Sequence, residues 1–375
     1  MPASVERLRA PVECVVEVDG REMQSLYPYL REVRVEMSRK GASTCTLTFD
    51  SVRDTGGKWA VQDAGILAAW KRIRIDAVFG SRREEVMRGY IKEVKAEYPA
   101  DMSAAMVTVL GQDETILFDR EHKRTTWSTQ QRPVSDQAVV QAIAQENQLL
   151  AQAEAGLNNQ NLAQDGTAIK FLQDRADANG YELYTREGIL HFEPPSLSGQ
   201  SLPTILVYAG DATNCLSFSA RYDGHKPDSV RVVRAQESGA GTDEVVLKPN
   251  LTTLGRQAAN SDGMGLSDFV WNMQQAQGGT TAEAQSRAQA KANENAWKVV
   301  AEGDLDGALY GHVLLTYRTV SVDGVGEVYG GLYYVDEVKH VFSNDGYRQQ
   351  FKLLRNAVGE QAALSAADPL AAVRG

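Results

Sequence analysis

Apolar and polar residues alternate with a period of two along the first third of the chain, the pattern of half-buried antiparallel strands. Val12, Cys14, Val16 and Val18 alternate with Glu13, Val15 and Glu17, and Asp19-Gly20 supplies the positive-φ turn that a tight hairpin needs. Val33, Val35 and Met37 alternate with Arg34 and Glu36, Lys40-Gly41 turns the chain, and Cys45, Leu47 and Phe49 alternate with Thr44, Thr46 and Thr48. Ile73, Ile75 and Ala77 alternate with Arg72, Arg74 and Asp76. With no helical stretch between them, these strands predict a first barrel-like β domain over residues 1–118.

The period then changes. Pro133 precedes a stretch in which Ser135 or Asp136 caps a helix with Val139, Val140, Ile143 and Ala144 on one face, and a second helix carries Ile169, Phe171, Leu172 and Ala176 up to the stop at Asn179-Gly180. A hairpin around Arg186 to Gly188 ends at Pro194-Pro195, so residues 119–200 predict a small α+β domain. Strands resume at Leu202. Residues 201–358 predict a second barrel-like domain interrupted by a polar surface insertion, 236–280, and an Ala-rich helix, 281–300, packed on the barrel through Ala288, Ala292, Ala296 and Val299. Residues 359–375 form an Ala-rich tail.

One strand unit is present twice. Tyr90 to Leu110 lies over Tyr334 to Leu354 without a gap, with Tyr90, Glu93, Val94, Lys95, Asp101 and Leu110 repeated as Tyr334, Glu337, Val338, Lys339, Asp345 and Leu354. Apolar character also repeats, since Ile91, Tyr98, Val107 and Val109 fall on Val335, Phe342, Phe351 and Leu353. Duplication of a β unit lets a trimer present six similar modules.

A net charge of −10 disfavours tight binding to nucleic acid or to an anionic membrane, because neutralising phosphates requires a surplus of Lys and Arg on some face. No stretch approaches the ~20 apolar residues of a membrane span, and the opening residues lack the apolar core of a secretory signal, which predicts synthesis in the cytosol. Cys14, Cys45 and Cys215 are widely separated and read as buried free thiols.

Candidate chemistry is sparse. His122, His191, His225, His312 and His340 are scattered, without metal-ligand spacing. Glu302, Asp304, Asp306 and Gly307 imitate the start of a calcium loop, but Val313 stands where a bidentate Glu is needed, so an acidic turn is expected. Glu84-Glu85 and Asp174 with Asp177 are carboxylate pairs of the kind glycoside hydrolysis uses, but their polar surroundings predict solvated charge. Arg82-Arg83 and His122-Lys123-Arg124 are small basic clusters that predict exposed hairpin and linker charge. Catalytic, cofactor-binding and metal residues are therefore expected to be none.

The closing stretch with Gly331, Tyr333-Tyr334, Val338, His340, the Ser343 to Gly346 turn, Tyr347, Phe351, Leu353 and Arg355-Asn356 resembles the signature of the phage late control protein D family, the baseplate hubs of contractile tails. The middle phrase from Ala168 to Pro195 is similar to the same hubs and to type VI secretion spike proteins. The resemblance implies a mainly β fold with an α+β insertion and two tail-tube-like β-barrels. It also implies a homotrimer that adapts a hexameric tail tube to a trimeric central spike, beside other baseplate wedge proteins. Too few residues follow Asn356 for an oligosaccharide-binding barrel and a needle, so the spike is expected to be a separate chain. The rival readings are a tail-associated murein hydrolase and a host-surface carbohydrate-binding module. The latter would need an aromatic platform, and Trp59, Trp70, Trp127, Trp271 and Trp297 are dispersed.

Overall fold

A computed structural model describes residues 12–100, 104–235, 242–260, 267–273 and 280–359. The expected tail beyond Gly359, part of the polar insertion and Asp101 of the repeat lie outside the described residues. The fold is mainly β with an α+β insertion, as the alternating pattern predicts.

The first β unit holds β1 (Glu13–Val18), β2 (Leu30–Ser38), β3 (Gly41–Asp50), β4 (Arg72–Phe79), β5 (Arg82–Glu97) and β6 (Met106–Asp113). They pair antiparallel in the order β2-β3-β6-β5-β4-β1 and curl over one core that includes Val16, Val35, Leu47, Ile75 and Val109. Asp19 and Gly20 have φ of 50° and 75°, the backbone their turn was expected to need.

The α+β unit follows with α1 (Asp136–Glu146), β7 (Leu150–Ala153), α2 (Ala168–Asn179), β8 (Glu182–Arg186) and β9 (Ile189–Glu193). The Ser135 hydroxyl accepts from the Ala138 amide to cap α1, and Gly180, at φ 67°, ends α2. Val140, Ile143, Leu172, Leu190 and Phe192 fill the space between the helices and the β7-β9-β8 sheet.

The second β unit contains β10 (Leu202–Leu206), β11 (Cys215–Tyr222), β12 (Ser229–Ala235), β13 (Thr242–Leu247), β14 (Val270–Met273), α3 (Thr281–Asn295), β15 (Val299–Asp306), β16 (Thr319–Asp323), β17 (Gly331–Ser343) and β18 (Gly346–Arg355). Its wall runs β11-β15-β18-β17, β16 pairs with the first half of β17, and β10 pairs with β16. Its separate core includes Ile205, Ala301, Val320, Tyr333 and Leu353.

The two units share one sheet. β17 pairs antiparallel with β2 from Glu337 opposite Ser38 to Ser343 opposite Glu32, joining the wall β11-β15-β18-β17 to the wall β2-β3-β6-β5.

These walls repeat each other in their irregularities. A bulge interrupts β5 and β6 between Ile91 and Glu93, and one interrupts β17 and β18 between Val335 and Glu337, the residues that the sequence overlay matches. A second matched pair of bulges lies between Leu30 and Glu32 and between Cys215 and Ser217. A bulge marks a specific register, so two at equivalent places carry more weight than residue identity.

The gapless overlay fails on the second strand of each hairpin. Glu93 faces Leu110, whereas Glu337 faces Lys352, two residues before the Leu354 that the overlay matches to Leu110. The cause is the connection, because β17 and β18 turn tightly between Ser343 and Gly346 while β5 and β6 are joined through residues 98–105. A shift of two keeps every side chain on its face. Val107, Val109 and Gly111 are accordingly buried, as are Gln349, Phe351 and Leu353.

The expected polar insertion is more than a surface excursion. β13 and β14 flank β12, and Leu254 and Ala259 are buried, because their amides donate to the Asn356 side chain and carbonyl and tie the segment to the end of β18. The Ala-rich helix ends at Asn295 and packs Ala288 and Ala292 on Val230 and Val232 of β12 rather than on a barrel. Trp297, just beyond it, is 2% exposed and stacks on Tyr334 at 5.7 Å. Trp297→Ala should lower unfolding stability by about 3–5 kcal/mol in a denaturant titration, and a loss below 1 kcal/mol would contradict this anchoring role.

Candidate assembly interface

Arg39 stands at the turn between β2 and β3, where the two walls and the α+β unit meet. Its guanidinium lies 3.2 Å from Asp336 on β17, 3.6 Å from Glu182 on β8 and 3.0 Å from Glu294 on α3, and its side chain is 8% exposed. The Arg39 amide also donates to the Asp336 carbonyl. Asp336 is the extra residue of the β17 bulge, so that irregularity turns a carboxylate towards the seam. Lys352 reaches Asp336 at 3.1 Å, and the Tyr334 hydroxyl donates to Glu182.

Burial alone would disfavour the Arg39 charge, but Glu294, Glu182 and Asp336 outweigh it and hold its pKa above the ordinary value. Burial pushes the Glu182 carboxyl up to about 7, against the opposing pull of Arg39. Glu294 is also disfavoured by burial, yet Arg39 and Lys40 leave it below the usual carboxylate range.

Several of the residues singled out for chemistry make contacts within the chain. Glu84 accepts from the Val313 amide at 2.7 Å and contacts His312 Nδ1 at 2.9 Å, while Glu85 pairs with Arg74 and Arg88. The expectation of solvated charge is corrected here: both lie on β5, and Glu84 fastens the first unit to the segment after Gly311. Arg83 pairs with the fully buried Asp76 and with Glu17, and Arg82 with Glu84, so this cluster is neutralised within the chain. Lys123 pairs with Glu146 and Arg124 with Asp165.

Asp174 pairs with Arg287 of α3. Its neighbour Arg175 is buried, where it donates to Asp136 and Asn159 and meets Glu283, an anchor that the helical pattern disguised as a surface position. Glu302, Asp304 and Asp306 lie on β15 rather than in a turn, and Asp306 caps the following turn through the Ala308 and Leu309 amides. His191 stacks on Tyr184, and burial drives His340 down to about 3, with Nδ1 2.8 Å from the Tyr347 hydroxyl. Among the described residues, no three His, Cys, Asp or Glu side chains converge as metal ligands.

The joined walls curve around a hollow of about 850 Å³ lined in part by Glu36, Glu302, Asp304, Glu337, Lys339 and Lys352. Four carboxylates against two lysines give this face no cationic surplus for phosphates. At the two ends of the wall, strand edges are open among the described residues. β5 from Glu93 to Glu97 pairs only with β6, and β11 pairs only with β15. Exposed apolar side chains sit there, with Val94 at 37%, Leu216 at 49% and Tyr222 at 40%. No helix among the described residues is long and apolar enough to cross a membrane.

Two linked β walls with an α+β unit between them are a fold shared with solved phage tail proteins and with a type VI secretion component. The 43 kDa tail protein of prophage MuSo2 from Shewanella oneidensis superposes with a TM-score of 0.67 at 14% identity, over 92% of this chain and 98% of that one. A tail protein from Neisseria meningitidis MC58 gives 0.65 at 12% identity, over 93% and 98%. The E. coli c3393 protein, a type VI secretion component similar to T4 tail proteins gp27 and gp5, gives 0.55 at 12%, over 93% and 79%. The chain belongs to the Alg8 N-terminal domain family, whose model matches residues 9–344. No curated protein matches it.

Removing Arg39 would leave buried carboxylates without their cation. Arg39→Ala should cost about 3–5 kcal/mol of unfolding stability in urea titration, and a loss below 1 kcal/mol would show that the seam holds without it. Glu182 supplies a pH signature. Its folded pKa of about 7 exceeds the ordinary 4.5, so between these values the folded chain holds a proton that the unfolded chain has released, and stability falls as pH rises. Glu182→Gln should remove that loss, gaining on the native protein in urea midpoint from pH 4.5 to 7; a pH-independent difference would contradict the assignment.

Proposed function

We propose that the chain is a structural hub subunit of a contractile tail or related injection particle. Three copies would form a ring that adapts a hexameric tail tube to a trimeric central spike. The observation that carries this reading is the doubled wall with its matched bulges, since three copies then present six similar walls. The tail proteins and secretion component that share the fold point to the same setting, a tail baseplate or extracellular particle. Wedge proteins of the baseplate would bind the outer faces.

The lumen would be lined by the concave face, whose excess of carboxylates lets a polyanion pass without adhering. A structural role fits the residues at hand, because each carboxylate pair suggestive of glycoside hydrolysis has a member tied to a cation, Glu85 to Arg88 and Asp174 to Arg287. Light scattering of the purified chain should give three times its monomer mass, and a zymogram should leave murein intact. A monomer at every concentration would remove the ring, and a cleared zone would move the chain to the hydrolases.

A further inference from the structure

The junction between the two walls inside one chain is a template for the junction between chains. Its strands are β17 and β2, and each has a counterpart at an open edge. β5 is the counterpart of β17 through the bulge, which pairs Glu93 with Glu337 in the duplication. β11 is the counterpart of β2 through the other bulge, which pairs Ser217 with Glu32.

We infer that the β5 edge of one copy pairs antiparallel with the β11 edge of a second copy, in a register set by the internal seam. Val338 opposite Met37 translates into Val94 opposite Tyr222, and His340 opposite Val35 into Ala96 opposite Ala220. The inference rests on the ring proposed above and adds its register.

An independent observation supports it. Val94 and Tyr222 are both unusually exposed for apolar strand residues, 37% and 40%, and the register derived from the bulges brings them face to face. Val338, the counterpart of Val94, is 2% exposed in the second-unit core beside a covering strand that Val94 lacks. Both edges also leave backbone groups without a ladder partner among the described residues, the feature that recruits another strand. The same register sets Lys95 opposite Arg221, a repulsion already offset within each chain, because Lys95 lies 2.9 Å from Glu97 and Arg221 3.9 Å from Glu302.

Paired cysteines test the register. The full chain carrying Val94→Cys with Tyr222→Cys, and separately Ala96→Cys with Ala220→Cys, should oxidise into covalent dimers and trimers, since opposed strand residues bring Cβ atoms within disulfide reach. Each single variant should stay unlinked, and the mismatched pair Val94→Cys with Ala220→Cys should link at least tenfold less. Mismatched linking equal to matched linking, in a protein whose mass is still three chains, overturns the register and leaves the ring. A mass of one chain at every concentration overturns both.

Discussion

Seven cross-strand pairs between β17 and β2, closed at one end by the buried Arg39, make one wall out of two β units. Each unit has its own core, but the first also takes in Val313, Phe342 and Tyr347 of the second, so apolar burial joins them as well. What the seam fixes is their relative direction and register. Arg39 reaches Asp336 on the second wall, Glu182 on the α+β unit and Glu294 on α3, and so ties the three units to a single point. Buried ion pairs add little net stability when compared with well-packed apolar groups, but they penalise any arrangement that leaves a charge alone. The arrangement of the units is therefore specified jointly by the strand seam, by Phe342 and Tyr347 in the first core and by the buried charges at Arg39, and the existence of the units by apolar periodicity.

That division explains what the chain reveals to inspection. Strands such as Val33-Val35-Met37 and helices capped at Ser135 and stopped at Gly180 are local matters, decided by alternation and by turn chemistry. The repeat was also legible, because Ile91 and Glu93 fall on Val335 and Glu337 with the bulge between them. Its second strand was placed two residues out, since an overlay without gaps has no means of registering a longer connection. Leu254 and Ala259 escaped notice because isolated apolar residues among Gly and Ser carry no period. Arg39, Glu84 and Arg175 escaped for a related reason: a charged residue at a turn or on a helix looks alike whether it faces water or another domain, and only tertiary contacts separate the two cases.

The same contacts account for the function proposed. Several of the carboxylates and basic residues that drew attention join strands and units, as Glu84 does at His312 and Arg83 at Asp76. What the chain leaves open is backbone, at the outer strands of its wall, with Val94 on one edge and Tyr222 on the other. An open ladder at both ends of a curved sheet is suited to closure by copies of itself. In the proposed ring, duplication inside the chain would supply the approximate equivalence by which three subunits match sixfold neighbours.

The most direct test is a cryo-electron microscopy map of the purified protein, averaged without imposed symmetry. The account predicts a threefold ring whose inner wall is a continuous sheet of alternating first and second units, six in all. A ring in which the two walls of each chain lie at different radii, or in which only one of them lines the lumen, would contradict it.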